Sequence, residues 1–211
     1  MEDKRLGVLP LPEHYYTEKP SSKMRLGLLR VNLRGLYLEF LTAPSIFSKK
    51  KIDTGTKLFT ECMNLPAEGY VLDLGCGYGA IGIVAAISNP KLHVIMTDVN
   101  MRAVWLAYQN IKRNNVHNAE VRWGFLYEPV DAIKFKTILS NPPITAGLKN
   151  IIIPLIIQAK HHLTKDGNLQ LVVRTGSGGK RIGRIMKETF ENSEVIDRQS
   201  GYRVFVSTIS N

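Results

Sequence analysis

Apolar and polar positions along the chain change period repeatedly, and each change predicts an element. Leu26 and Leu28, then Leu36, Leu38 and Phe40, alternate with other residues. They predict two strands within 23–43, joined by turn chemistry at Asn32-Leu33-Arg34-Gly35. Thr54 or Thr56 is placed to cap a helix ending near Leu65. A buried strand leads to Asp73, and a helix-like apolar run starts near Ala80. The pattern then gives a strand over 91–97 and a helix over 101–114, with Val104, Ala107, Tyr108 and Ile111 on one face. Further strands are predicted at 121–125, 136–140, 169–174 and 202–207, with helices over 152–163 and 181–190. Pro154 is tolerated only in the first turn of its helix. Strand and helix alternate, which predicts an α/β fold with a largely parallel sheet and helices on both faces.

Chemistry concentrates in two places. The stretch YVLDLGCGYGAIGI, 70–83, is a strand, a glycine turn (Gly75, Gly77, Gly79) and a helix N-terminus. Such a turn offers backbone N–H groups to a nucleotide-like ligand. Far downstream, Asn141-Pro142-Pro143 ends another apolar run. The turn also fits the dinucleotide pattern G-x-G-x-x-A, with Asp98 near the distance of a ribose acid. A nicotinamide enzyme is therefore a rival reading. Asp73 argues against it, because a carboxylate there repels a pyrophosphate and welcomes an ammonium or sulfonium. Asn141-Pro142-Pro143 has no role in hydride transfer.

Composition bounds the partners. The 211 residues suit one α/β domain, 44–211, preceded by an arm and hairpin, 1–43. Lys plus Arg number 28 against 18 for Asp plus Glu, a net charge of +10, which favours a polyanion such as RNA. Cys62 and Cys76 lack metal-ligand spacing, so no metal is expected. The N-terminus has no signal-peptide core, and the longest apolar run, 151–157, is too short to span a bilayer. A cytoplasmic protein without a membrane partner is expected. The stretch 174–180 imitates a P-loop, but Arg174 replaces the first glycine and no Ser or Thr follows Lys180. His161-His162 is expected to interact with a helix dipole, and Trp105 and Trp123 to be core or rim residues.

These motifs carry a resemblance. Asp73-Leu74-Gly75-Cys76-Gly77-Tyr78-Gly79 resembles motif I of class I S-adenosylmethionine-dependent methyltransferases, and Asp98 resembles their ribose-binding acid. Asn141-Pro142-Pro143-Ile144 is similar to the N-P-P-aromatic motif of enzymes that methylate exocyclic or amide nitrogens. His14-Tyr15-Tyr16-Thr17, Phe47-Ser48, Asp53-x-Gly55-Thr56 and Gly201-Tyr202-Arg203-Val204 resemble the bacterial small-subunit rRNA guanine-N2 methyltransferase domain and its stand-alone archaeal relatives. The resemblance covers nearly the whole chain. It implies a seven-stranded Rossmann-like methyltransferase sheet with a short N-terminal β-hairpin, S-adenosyl-L-methionine as cofactor, and RNA as partner, ribosomal RNA ahead of transfer RNA.

It also implies a site. Asp98 would take the ribose hydroxyls, and Asp73 with the Gly75 carbonyl would take the ammonium, directly or through water. Gly75, Cys76, Gly77 and Ala80 would cradle the cofactor, and Gly55 and Thr56 would close over its methionine end. Gly124 and Phe125 would read the adenine through their backbone, with Phe125 or Val99 against its face. Asn141 and the Pro142 carbonyl would accept the N–H bonds of the target amine, held stiffly by Pro142 and Pro143. Tyr16, Ile144, Lys180, Tyr202 and Arg203 are the candidate substrate contacts. Two features depart from the family: Ile144 replaces the stacking aromatic, and Gly124-Phe125-Leu126 stands where an acid often meets the adenine amine. Base–aromatic stacking is worth roughly 1–3 kcal/mol, so Tyr16, Tyr37 or Tyr202 is expected to supply it. Adenine-N6 methylation, protein-glutamine methylation and a non-catalytic cofactor-binding RNA assembly factor are the alternatives. The net charge disfavours a protein target, and the intact Asp73, Asp98 and Asn141 disfavour a mere binder.

Overall fold

The computed structural model describes residues 25–43, 51–142 and 147–210. Strands β1 (Gly27–Leu33) and β2 (Leu36–Thr42) form the expected antiparallel hairpin. Its loop is only Arg34-Gly35, both at positive φ (51° and 76°), so Leu33 closes the first strand instead of entering the turn. A two-residue loop of that hand matches the right-handed twist of paired strands.

The main sheet has seven strands in the order β5-β4-β3-β6-β7-β9-β8. They are β3 (Gly69–Leu74), β4 (Leu92–Asp98), β5 (Ala119–Trp123), β6 (Phe135–Ser140), β7 (Leu163–Arg174), β8 (Glu194–Gln199) and β9 (Tyr202–Thr208). Strands β3 to β7 are mutually parallel, whereas β9 runs antiparallel to β7 and β8 antiparallel to β9. The periodicity passes over β8. That strand lies at the sheet edge, carries only Val195 and Ile196 as apolar residues, and has no fully buried side chain.

Helices α1 (Thr54–Cys62), α2 (Ala80–Ser88), α3 (Met101–Arg113), α4 (Ile153–His162) and α5 (Gly179–Phe190) cover the sheet. Two apolar cores result. Phe40, Phe59, Val71, Ile83, Leu106 and Val204 belong to the core that includes the hairpin, α1, α2 and α3. Leu72, Ile138, Leu155, Met186 and Phe205 belong to the other, under α4 and α5. Adjacent residues such as Leu72 and Val71 enter opposite cores because strand side chains alternate in direction.

Several local expectations change. Asp53, not Thr54 or Thr56, caps α1, accepting from the Thr56 N–H at 3.0 Å. A carboxylate accepts a helix-terminal N–H as well as a hydroxyl does. The buried face of α3 is Ala103, Leu106, Ala107, Asn110 and Ile111, while Tyr108 is exposed. The stripe is turned because Asn110 is drawn inside. Its side chain exchanges bonds with the Leu41 backbone (2.7 and 3.0 Å) and donates to the Tyr78 carbonyl (2.9 Å), stapling the hairpin to the glycine turn. His162 is buried and stacks on Tyr127 at 4.4 Å, and burial lowers its pKa. It is a core residue, not a dipole-bound cation. A π-helical turn over Leu148–Ile152 precedes α4, whose first turn holds Pro154 as expected.

Candidate cofactor and acceptor site

Strand β3 has β4 on one side and β6 on the other. The strand order therefore reverses around it, and a crevice opens beyond the carboxyl ends of these strands. Lining it are the glycine turn after β3 (Gly75, Cys76, Gly77), Asp98 and Val99 after β4, Gly124 and Phe125 after β5, and Asn141 and Pro142 after β6. Thr56 of α1, Ala80 of α2 and Ile151 and Leu155 from the α4 side complete the wall.

The turn is held by its own backbone. Gly75 N–H and Cys76 N–H both donate to the Thr97 carbonyl, at 2.8 and 2.9 Å. Gly75 and Gly77 sit at φ +75° and +57°, where a side chain is strained. A Cβ at either would meet no atom within 4 Å, so both border open space in the crevice wall. The backbone thus forms a cradle that a side chain would fill.

Asp98 stands at the rim of this cradle. Its Oδ2 accepts from Gly77 N–H at 2.9 Å and its Oδ1 from Asn100 N–H at 2.8 Å. Burial raises its pKa to about 6, with those N–H bonds opposing the rise. Each oxygen keeps a lone pair for a further donor such as a hydroxyl. Asp73 is placed differently from its expected role. It is completely buried beneath the turn, is absent from the crevice wall, and accepts from Gly82 N–H of α2 at 2.8 Å. Burial raises its pKa to about 7, reinforced by the charge of Asp98. Its Oδ2 ties strand to helix from behind, so Asp73 does not line the crevice directly, while its buried Oδ1 has no hydrogen-bond partner among the described residues.

The adenine-side expectations also shift. Phe125 and Val99 line the crevice. The Gly124 N–H, however, donates to the Asp98 carbonyl at 3.1 Å, and the Phe125 N–H faces Glu128 Oε2 at 3.4 Å. Both amide N–H groups already have acceptors, and the Phe125 carbonyl accepts from Glu128 N–H, so the backbone group these residues keep for the adenine is the Gly124 carbonyl, beside the Phe125 ring. Trp123 is half exposed on the rim, with its indole N–H on the Val99 carbonyl at 2.9 Å. Trp105 is exposed on α3.

At the other end of the crevice Asn141 is locked. Its Nδ2 donates to Asp53 Oδ2 at 3.1 Å and to Thr56 Oγ1 at 2.9 Å. A carboxylate can only accept, so the amide nitrogen must face Asp53. Both amide hydrogens are committed there, and Oδ1, on the other branch of the amide, is the atom left to accept from a ligand. The Tyr202 hydroxyl donates to the second oxygen, Asp53 Oδ1, at 3.1 Å. Gly55 is required by this packing. A Cβ on it would lie 2.7 Å from the Tyr202 ring and 2.9 Å from Asp53 Oδ2. Gly55 and Tyr202 therefore buttress Asn141 and do not line the crevice. Sequence reasoning put Asp53 at the start of the segment expected to close over the methionine end but missed its hold on Asn141, although its capping position before Gly55-Thr56 was the available signal. Ser140 was also missed. Its Oγ donates to the Leu74 carbonyl at 2.6 Å and fixes the end of β6 against β3.

The remaining substrate candidates do not converge on the crevice. Arg203 pairs with Val173 and precedes Phe205, so it projects to the α5 face of the sheet, opposite to Tyr202. Lys180 is exposed in the first turn of α5. Tyr16, Pro143 and Ile144 lie outside the described residues. Among the described residues no cluster of His, Cys, Asp and Glu is fit to hold a metal, and no helix is long and apolar enough to cross a membrane.

The chain is similar to known proteins in sequence and in fold. The chain is 34% identical over 196 residues to the uncharacterized protein YbxB of Bacillus subtilis strain 168, covering 92% of this chain and 97% of that one. It is 30% identical over 195 residues to ribosomal RNA small subunit methyltransferase C of Hamiltonella defensa, and 33% over 176 residues to the Aeromonas hydrophila protein of that name. Those alignments cover 56% and 49% of the relatives, so the chain spans about half the length of the ribosomal RNA methyltransferases it matches. In structure it resembles the T. thermophilus 16S rRNA N2 methyltransferase solved with AdoMet and guanosine, at a TM-score of 0.79 and 20% identity, over 90% of this chain and 52% of that one. The model of the methyltransferase small domain matches residues 37–206, most of the sequence, and the chain belongs to that methyltransferase family.

Proposed function

We propose that this protein transfers a methyl group from S-adenosyl-L-methionine to the exocyclic N2 amine of a guanine in RNA, with ribosomal RNA as the favoured substrate. The observation that carries the reading is the lock on Asn141, whose nitrogen is held by Asp53 and Thr56 beside the crevice. That orientation gives Asn141 Oδ1 to the N–H of an amine. With the Pro142 carbonyl it would hold both N–H bonds and aim the amine lone pair into the crevice. When bound, the cofactor supplies an electrophilic methyl on a sulfonium.

The other residues divide the binding work. Asp98 accepts the ribose hydroxyls, the glycine cradle gives close backbone approach, and Phe125 and Val99 cover the adenine. Asp73 holds the cradle in shape from below, by its bond to Gly82 N–H. No strong base is needed, because the amine becomes acidic once methylated and gives its proton to solvent. The catalytic contribution is orientation, which in well-aligned reactions is worth roughly 7–11 kcal/mol. The relatives named for ribosomal RNA and the solved neighbour holding guanosine support the substrate class.

The test is methylation of small-subunit ribosomal RNA with labelled cofactor, followed by nucleoside mass spectrometry. N2-methylguanosine is the expected product. N6-methyladenosine, or cofactor binding without turnover on any RNA, overturns the proposal.

A further inference from the structure

We infer that the sheet end formed by β7, β9 and β8, together with the start of α5, is a surface that holds an RNA backbone beside the acceptor site. The inference rests on the reading above that the acceptor is a nucleotide within RNA. Its starting point is a like-charge pair. Arg198 of β8 and Arg203 of β9 are direct cross-strand partners, and cross-strand partners share one face. Like charges placed so are destabilising, and neither Arg198 nor Arg203 is in an ion pair among the described residues.

The surroundings add charge of the same sign. Arg203 also pairs with Val173, and Gly179 at the start of α5 packs on Val173 and Arg174. Lys180 and Arg181 follow on the exposed first turn of that helix, which contains no acidic residue. Arg174, exposed at the end of β7, pairs with Tyr202 and so lies at the same sheet end on the face opposite to Arg203. Four cations, Lys180, Arg181, Arg198 and Arg203, therefore gather on the α5 side at one end of neighbouring strands, with Arg174 across the same sheet end on its other face, and none of the five is in an ion pair among the described residues.

The position suits a substrate strand. β6 and β7 are parallel neighbours, so Arg174 and Asn141 emerge from the same end of the sheet. From β6 to β8 there are three strand spacings, about 14 Å, so the cations flank the site without entering it. A polyanion laid along them relieves the Arg198–Arg203 repulsion and releases counterions. An acidic protein segment is the competing occupant by charge alone. RNA is favoured because the same sheet end presents Asn141 and its proposed amine acceptor.

The experiment compares wild type with R198E/R203E and R198K/R203K. It measures anisotropy of a 30-nucleotide stem-loop RNA over a salt series, with S-adenosylmethionine affinity as the folding control. The glutamate variant is expected to lose at least tenfold in RNA affinity. Its log–log salt slope should shrink by about 1.4–1.8, two phosphate contacts' worth. The lysine variant should stay within about threefold of wild type, and cofactor affinity should not move. RNA affinity and slope within twofold of wild type in R198E/R203E overturn the inference. So does tighter wild-type binding to polyglutamate than to the RNA. If R198E/R203E loses RNA binding while wild type makes no N2-methylguanosine, the surface stands and the proposed reaction falls.

Discussion

Asn141 and Asp53 stand 88 positions apart in the chain and meet through a 3.1 Å hydrogen bond from amide nitrogen to carboxylate. The bond decides which way the amide faces, because a carboxylate has no proton to give. Asp53 is tied in turn by the Thr56 N–H and the Tyr202 hydroxyl. Orientation therefore passes from α1 and β9 to Asn141 through Asp53, which does not line the crevice itself.

Replacing Asn141 by Ala should abolish turnover while RNA and cofactor affinities hold. Asp53→Asn is more discriminating. It keeps the shape but allows the Asn141 amide to flip. The expected loss is in kcat, roughly 10–100-fold or about 1.4–2.7 kcal/mol, with KM for RNA little changed. Steady-state kinetics with subsaturating and saturating RNA separate the two parameters. An Asp53→Asn enzyme with wild-type kcat refutes the lock.

Gly55→Ala tests the same device from the other side. The added Cβ meets the Tyr202 ring at 2.7 Å, so ring or helix start must shift. Overpacking of this kind costs typically 1–3 kcal/mol. A lowered thermal midpoint with kcat depressed is expected. Tyr202→Phe, which removes only the hydroxyl, should depress kcat less than Asp53→Asn does. A crystal structure of Gly55→Ala with Asn141 undisturbed and full activity counts against the coupling.

Most of the architecture was legible from period and punctuation. The glycine turn announced itself through Asp73, Gly75, Gly77 and Gly79, and the seven-strand sheet followed from the resemblance. What stayed hidden has physical causes. β8 buries almost nothing on either face, so its sequence carries little hydrophobic signal. The Asn110 staple and the Asp53–Asn141 bond join residues with no sequence proximity, and only folding reveals such pairs. Asp73 looked like a ligand-facing acid because its place before the glycines is the same whether it faces the crevice or the helix. The bond to Gly82 N–H turns its Oδ2 to the helix and leaves Oδ1 buried without a partner among the described residues.

Cofactor affinity should fall in acid. Asp98, the proposed ribose acceptor, has a pKa raised to about 6 by burial. Hydroxyl donors favour its charged form, so binding is full above pH 7. Below about pH 6 it weakens, approaching tenfold per unit as protonation proceeds. Titration calorimetry from pH 5 to 8 measures this. Asp98→Asn should bind weakly and flatten the profile, and an unchanged acid limb in that variant assigns the titration elsewhere.

Asp73 gives the opposite sign for stability. Burial, and then the Asp98 charge, lift its folded pKa to about 7, above the ordinary carboxylate value of 3.8. Between those values the folded state binds more protons than the unfolded chain. Its contribution to stability is therefore fully present below about pH 4 and is lost as pH rises through 7. Asp73→Asn can keep an oxygen on the Gly82 N–H while removing the charge from the core. It should unfold at a higher temperature than wild type at pH 8, and the gap should close toward pH 4. Gly82→Ala is the control, because its Cβ would lie 2.5 Å from Met96 and 3.1 Å from Asp73 Oδ2. Steric strain does not titrate, so that variant should be destabilised at both pH values. If thermal scans show Asp73→Asn with the same pH slope as wild type, the charge of Asp73 does not set it.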